Sequence, residues 1–181
     1  MSSRTVATII TALVLLTVLA LMLRAWRRRS ARDAALPAGY PQPAGLGREL
    51  ASAAALYVAT TPRDTPLERL NIPGLGFRAR GGVSVFEHGV LLELAGAPTL
   101  FIPTDAVQLV ADATVAIDRV VEPGGLLRLG WRLNTTAAEI PAGVDSYFRF
   151  SDPVDRRAIT EAIRSITAPG TTEFGTEESE V

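Results

Sequence analysis

The chain has 181 residues, 48% of them hydrophobic and 20% charged, with 18 basic and 19 acidic side chains for a net charge of −1. It has no cysteine and one histidine, His88, which excludes disulfide scaffolds, thiolate metal sites, cysteine nucleophiles and histidine-rich metal centres. The balanced charge argues against a uniformly basic nucleic-acid binder, yet it hides an asymmetry: residues 1–32 hold six arginines and no acid, and residues 33–181 hold twelve arginines against all nineteen acids, a net of −7.

The first predicted element is a membrane helix. Residues 6–23, VATIITALVLLTVLALML, run for eighteen positions without a charge, and threonine is the most polar side chain among them. At ~1.5 Å rise per residue, extending the run to Trp26 gives about 30 Å, the thickness of a hydrocarbon core. The expected span is about 5–26. A soluble core helix would need a polar face, and this run has none. A cleaved signal peptide would need basic charge before the run and a small-residue cleavage site after it. Here only Arg4 precedes it, and Arg24, Arg27, Arg28, Arg29 and Arg32 follow. Each arginine costs ~2.5–3.5 kcal/mol at the membrane centre, so the cluster stops transfer and makes the segment an uncleaved signal anchor.

The same arginines orient it. By the positive-inside rule the N-terminus lies outside and residues 24–181 lie in the cytoplasm, a single-pass inner-membrane topology. The five flanking arginines are also candidate contacts to anionic headgroups, at about 1 kcal/mol each near the surface.

Residues 33–47 carry three prolines and three glycines and read as a Pro/Gly/Ala linker. Residues 48–170 have the size of one domain. Within it, short strands are expected over 53–60, 82–87, 90–94, 99–102, 106–110, 114–117, 126–133 and 145–150, with a hairpin turn at His88-Gly89. Leu127, Leu129, Trp131 and Leu133 alternate with Arg128, Gly130 and Arg132, the two-residue period of a strand with one buried face. A helix over about 153–167 follows: Asp152 is an N-cap, Pro153 the first helical residue, and Ile159, Ile163 and Ile166 form an apolar stripe. Residues 171–181, with four glutamates, read as a disordered acidic tail. A seven-strand barrel closed by one terminal helix is the architecture of pleckstrin-homology (PH)-like domains; an OB-type or SH3-like barrel would not require that helix. The predicted fold class is therefore mainly β with one C-terminal α-helix, preceded by a single transmembrane helix.

Several strings resemble a family of actinobacterial single-span membrane proteins with a PH-like domain: Tyr57-Val58-Ala59-Thr60-Thr61, Pro66-Leu67-Glu68-Arg69-Leu70, Gly74-Leu75-Gly76-Phe77-Arg78-Ala79-Arg80, Ile117 to Gly125, and Asp145-Ser146-Tyr147-Phe148-Arg149. Members are often encoded near pyrimidine-biosynthesis genes and labelled as export, transport or membrane proteins. The resemblance implies a PH-like fold and a membrane location. It brings no catalytic or ligand-binding residue with it.

The residues offer little catalytic material. Gly74-x-Gly76-x-x-Ala79 fits the dinucleotide fingerprint in letters, but that motif must join a strand to a helix, and strand-like residues 80–85 follow it instead. His88 is expected as an exposed turn residue. Ser84, Ser146 and Ser151 have no histidine base to activate them, and Asp118 and Glu122, with Arg119 between, read as solvated or ion-paired charges. Phosphoinositide binding needs basic residues between the first two strands, but residues 61–69 sum to zero charge; Arg78 and Arg80 are the candidate headgroup contacts nearby. The expected protein is a non-enzymatic interaction or scaffolding module, tethered to the bilayer and facing an unidentified protein partner. It uses no cofactor, metal or nucleic acid. The alternatives are an accessory or regulatory subunit of a transport or export system, and an anionic-lipid-binding module.

Overall fold

The structure, a computed structural model, describes residues 3–34, 39–63, 65, 67–116, 119–120, 125–135 and 143–167. The first described element is α1, Ser3–Ala34, of which Ser3–Arg28 is a 26-residue stretch long and apolar enough to cross a membrane, with a mean hydropathy of 2.8 over its most apolar 18 residues. The helix continues past its apolar part because arginine and alanine are strong helix formers. Its threonines are satisfied from within: the hydroxyls of Thr8, Thr11 and Thr17 donate to the carbonyls of Arg4, Ala7 and Leu13 at 3.0, 3.0 and 2.8 Å. No water is then needed for these groups, a condition that hydrocarbon imposes on any polar atom it contains.

The strands are β1 (Glu49–Pro62), β2 (Ala79–Phe86), β3 (Gly89–Leu94), β4 (Leu100–Pro103), β5 (Val107–Ala113), β6 (Val115–Ala116), β7 (Arg119–Val120), β8 (Leu126–Arg132) and β9 (Gly143–Arg149). Among the described residues, seven of them form one antiparallel sheet in the order β4-β3-β2-β1-β9-β8-β5, and β6 pairs with β7 as a separate ribbon. The hinge of the sheet is β1. Its first half pairs with β2 from Glu49 to Tyr57, its second half pairs with β9 from Leu56 to Pro62, and register shifts fall at Glu49/Ala51 and Tyr57/Ala59. Bulges of this kind bend a strand and increase its twist, so the two halves of the sheet fold over each other. Val83, Val85, Leu92 and Ile102 from one half and Leu127, Leu129, Trp131 and Phe148 from the other share one buried cluster.

The register defines two ends of the sheet: the β1–β2, β3–β4 and β8–β9 connections leave from one, and the β2–β3 turn lies at the other. A closing helix follows β9. That helix, α2 (Pro153–Thr167), packs on β1, β2, β5 and the 3-10 turn Thr104–Ala106. Asp152 Oδ1 caps it by accepting the Val154 N–H at 2.7 Å, Ile159 and Ile163 are fully buried, and Arg156 pairs with Asp112 of β5.

The expected PH-like architecture is present, and three details differ locally. The hairpin turn residues are Glu87 and His88; Gly89 already pairs with Phe86 and with Pro103 as the first residue of β3. Ala106 is buried in the 3-10 turn rather than opening a strand, because the chain must turn a corner between β4 and β5. Strand β5 then runs unbroken to Ala113, and Val115–Ala116 belongs to the ribbon. Ile117, Asp118, Glu122 and the acidic tail lie outside the described residues.

The segment read as a spacer also makes contacts. Tyr40 N–H donates to the Phe101 carbonyl at 3.0 Å as an isolated antiparallel bridge on the free edge of β4, and the Tyr40 hydroxyl donates to the Arg132 carbonyl at 2.9 Å. Further on, His88 N–H donates to the Leu46 carbonyl at 3.2 Å and Glu87 N–H to the Arg48 carbonyl at 3.1 Å. Residues 39–48 thus form a strap along β4 and β3. Gly39 permits its start: φ is +124°, and a side chain there would meet Leu100 Cγ at 2.7 Å.

Candidate functional site

Three groups of residues carry polar or charged chemistry, and the fold positions each differently. The first is the arginine flank of α1. Arg24, Arg27 and Arg28 are exposed on the helix, while Arg29 and Arg32 continue its backbone; the side chains of these last two lie outside the described ones.

The second is the connection between β1 and β2. Its inner side is apolar and locked: Leu70, Ile72 and Leu75 are buried in the core. Arg69 braces it by donating from Nη1 to the Gly76 carbonyl at 3.0 Å and from Nη2 to the Val58 carbonyl at 2.7 Å. Gly74, at φ +83°, makes the turn and lies over Ala97 and Pro98 of the β3–β4 connection. The glycines therefore shape a turn that enters a strand, with no helix N-terminus to receive phosphates. Arg78 and Arg80, both exposed, flank Ala79 at the start of β2. They share this element with Leu67 and Phe77, whose side chains are 69% and 81% exposed.

The third lies around β9. On its core side, Trp131 Nε1–H donates to Ser146 Oγ at 2.9 Å, Ser146 Oγ is 2.7 Å from Thr60 Oγ1, and the Tyr57 hydroxyl is 2.9 Å from Thr60 Oγ1 and 2.7 Å from the Leu75 carbonyl oxygen. A carbonyl only accepts and a tyrosine has one proton, so Tyr57 donates to Leu75, Thr60 to Tyr57 and Ser146 to Thr60. The chain of donors runs one way across β8, β9, β1 and the β1–β2 connection. Burial pushes the Tyr57 hydroxyl well above the ordinary tyrosine range, with the bond from Thr60 and the charge of Arg69 opposing.

On the opposite face of β9, Asp145 is 1% exposed. Arg63 Nε stands 3.5 Å from its Oδ1 and Arg128 Nη1 stands 3.7 Å from its Oδ2. The Arg63 guanidinium fits there because two strands offer glycine beneath it: a methyl group at Gly130 would stand 2.8 Å from Arg63 Nη2, and one at Gly143 would stand 3.2 Å from Arg63 Cζ. Two guanidiniums on one carboxylate leave net positive charge on this face. Among the described residues, Thr61 Oγ1, Arg63 Nη2 and Arg128 Nε are buried without a hydrogen-bond partner.

Of the other sequence candidates, His88 is exposed and its Nδ1 lies 3.2 Å from the Gly45 carbonyl oxygen, so it helps hold the strap. Ser84 faces Ser52 at 2.8 Å, Ser151 is exposed, and Ser146 belongs to the donor chain. No group of three or more His, Cys, Asp or Glu among the described residues is placed to hold a metal ion. Sequence reasoning missed the Arg63–Asp145–Arg128 cluster. A clue existed in the outward position of Arg128 on an alternating strand, but its partners lie on other strands.

A bent seven-stranded antiparallel sheet closed by a C-terminal helix defines a PH-like barrel. The match of residues 34–164 to the bacterial PH domain-like family is specific: the chain belongs to that family. The match begins at the end of α1 and takes in the strap as well as the barrel. Among solved structures, a chain of the 8S snRNP assembly intermediate is similar at 11% identity and a TM-score of 0.48, over 74% of this chain and 94% of that one. No curated protein matches the sequence.

Proposed function

We propose that this protein is a non-enzymatic interaction module that α1 holds at the cytoplasmic face of the inner membrane, where the PH-like barrel scaffolds a protein partner. The observation that supports the reading is the pairing of a membrane-length helix, uncharged over residues 6–23, with a PH-like barrel later in the same chain. The arginine flank of Arg24, Arg27, Arg28, Arg29 and Arg32 favours the barrel on the inner side. A tether of this kind raises the local concentration of whatever the barrel binds at the surface, so weak binding suffices.

Two measurements test it. A reporter fused after Val181 is expected to be active only in the cytoplasm; activity only on the outer side overturns the topology. Proximity crosslinking in cells is expected to capture a membrane-proximal partner with the whole chain and to lose it when the barrel is unfolded by Ile159→Asp while α1 remains. Capture independent of the folded barrel overturns the scaffold role.

A further inference from the structure

We propose that the face of the sheet turned away from the core, across the second half of β1 and across β9, β8 and β5, docks the protein partner, and that it takes a partner segment rich in carboxylates. The inference rests on the reading that the barrel binds a protein; it adds which face does so and which chemistry that face accepts. Residues directly opposite each other on neighbouring strands share a face of the sheet, and successive residues alternate between faces. The register therefore collects arginines on one side. Arg80 and Arg149 both stand opposite Leu56, Arg128 stands opposite Tyr147, and Arg132 stands opposite Gly143. The Arg63 guanidinium lies across Gly130 and Gly143 on the same side. Five arginines thus gather on one face of a region, residues 33–181, whose net charge is −7. Among the described residues of these four strands, Asp145 is the one acid that faces the same way.

Arg63 and Arg128 give the face its specificity. Their side chains are 36% and 35% exposed, and both are held from beneath by the buried Asp145 carboxylate. One arginine would neutralise Asp145. The second leaves a surplus positive charge, and each of the two has a nitrogen buried without a hydrogen-bond partner. Unpaired buried donors cost stability, so the charge balance of the fold does not by itself account for the pair. A guanidinium fixed on one side presents the rest of its planar fork already oriented, the geometry that receives a carboxylate through parallel N–H bonds. At the rim, Arg132 pairs with the exposed Asp105 at 3.1 Å, a surface pair that an incoming carboxylate can exchange at little cost. Between the arginines lie the half-buried Leu56, Leu109 and Ala111, with Tyr147 buried beneath. Fixed arginines interleaved with apolar ground suit a protein surface. Anionic headgroups attract basic residues however these are arranged, and so make no use of this order.

Site-specific photocrosslinking in cells tests this with the full chain. A small diazirine side chain would replace one residue at a time: Leu109 on the arginine face, Glu93 on β3, or Val154 on α2. The expected result is a protein adduct severalfold stronger from position 109 than from 93 or 154, with a crosslinked partner peptide that mass spectrometry shows to be acidic. Arg80→Glu and Arg149→Glu, both at exposed positions, are each expected to weaken the adduct from 109 severalfold, while thermal unfolding of the purified variants shows the barrel intact. Protein adducts from 93 or 154 with none from 109 overturn the choice of face and leave the scaffold reading standing. A lipid adduct at 109, or a protein adduct that neither reversal weakens, overturns the carboxylate chemistry. No protein adduct from any of the three positions removes the scaffold reading, and this proposal with it.

Discussion

Ser146 is the middle link of a one-way chain of donors, and that position decides what its loss would do. It accepts from the buried Trp131 indole and donates to Thr60, whose own proton goes to Tyr57. In Ser146→Ala the Thr60–Tyr57–Leu75 part survives, but the indole N–H is left buried without a partner. An orphaned donor of this kind costs about 1–3 kcal/mol, so Ser146→Ala is expected to lower stability by about 2 kcal/mol in urea unfolding; an unchanged midpoint would show that the chain is ornamental. Tyr57 adds a pH signature. Its folded-state pKa is raised above the unfolded value near 10.0, so the folded protein keeps a proton that the unfolded chain releases. Its contribution is fully present below that pH and is lost as pH climbs beyond it, by about 1.4 kcal/mol per pH unit. Tyr57→Phe is expected to be less stable than the natural protein near neutrality, by about 1 kcal/mol for the unpaired Leu75 carbonyl. It should also show a shallower alkaline decline between about pH 10 and pH 11; parallel declines would mean that another group titrates.

The strap is the element whose behaviour is least evident from composition. Three prolines and three glycines in residues 33–47 look like a spacer, and only the fold reveals an open β4 edge beside them. Its far end is held by electrostatics as well: Glu87 accepts the Arg48 N–H at 3.1 Å, a bond that holds the Glu87 carboxyl below its usual range. Tyr40→Ala removes the ring that packs on the core and the bond to Arg132. Hydrogen exchange is expected to speed up at residues 40–48 in this variant and to stay slow in β1; slow exchange throughout would show that Tyr40 is not what holds the strap. By contrast, the membrane-length helix, the alternating strand β8 and the capped α2 were readable in advance, because each announces itself within a local window of charge, period or cap. The donor chain and the Asp145 cluster were not. Asp145 meets Arg63 across 82 positions of sequence and Gly130 through the β8–β9 register, and nothing local to Asp145 marks it as buried. The hairpin turn lies one residue earlier than the expected His88-Gly89, at Glu87-His88, for a related reason: pairing with Pro103 of β4 recruits Gly89 into the strand.

At the scale of the whole molecule, the question is where the barrel begins. Strand β1 starts at Glu49, and a boundary drawn there would treat the preceding ten residues as part of the tether. Ordering ten residues costs conformational entropy of about 1–2 kcal/mol each for the backbone alone. A strap that is docked despite that cost must return more than it takes, through its hydrogen bonds to Phe101, Arg132, Glu87 and His88 and through the cover it gives the β4 edge. Removing it can then only weaken the barrel, and it also leaves an unpaired strand of the kind that seeks partners in other copies. Two fragments without α1 separate these views, one beginning at residue 39 and one at residue 49. The longer is expected to unfold cooperatively as a monomer. The shorter is expected to lose about 1–2 kcal/mol of stability, the net of a few hydrogen bonds against the entropy regained, and to self-associate in sedimentation. Equal stability and equal monodispersity would make the strap a passenger. In that case residues 39–48 would belong to the tether; the expected result instead makes them part of the folded domain, so that the barrel begins at residue 39 and the strap, not β1, is its first element.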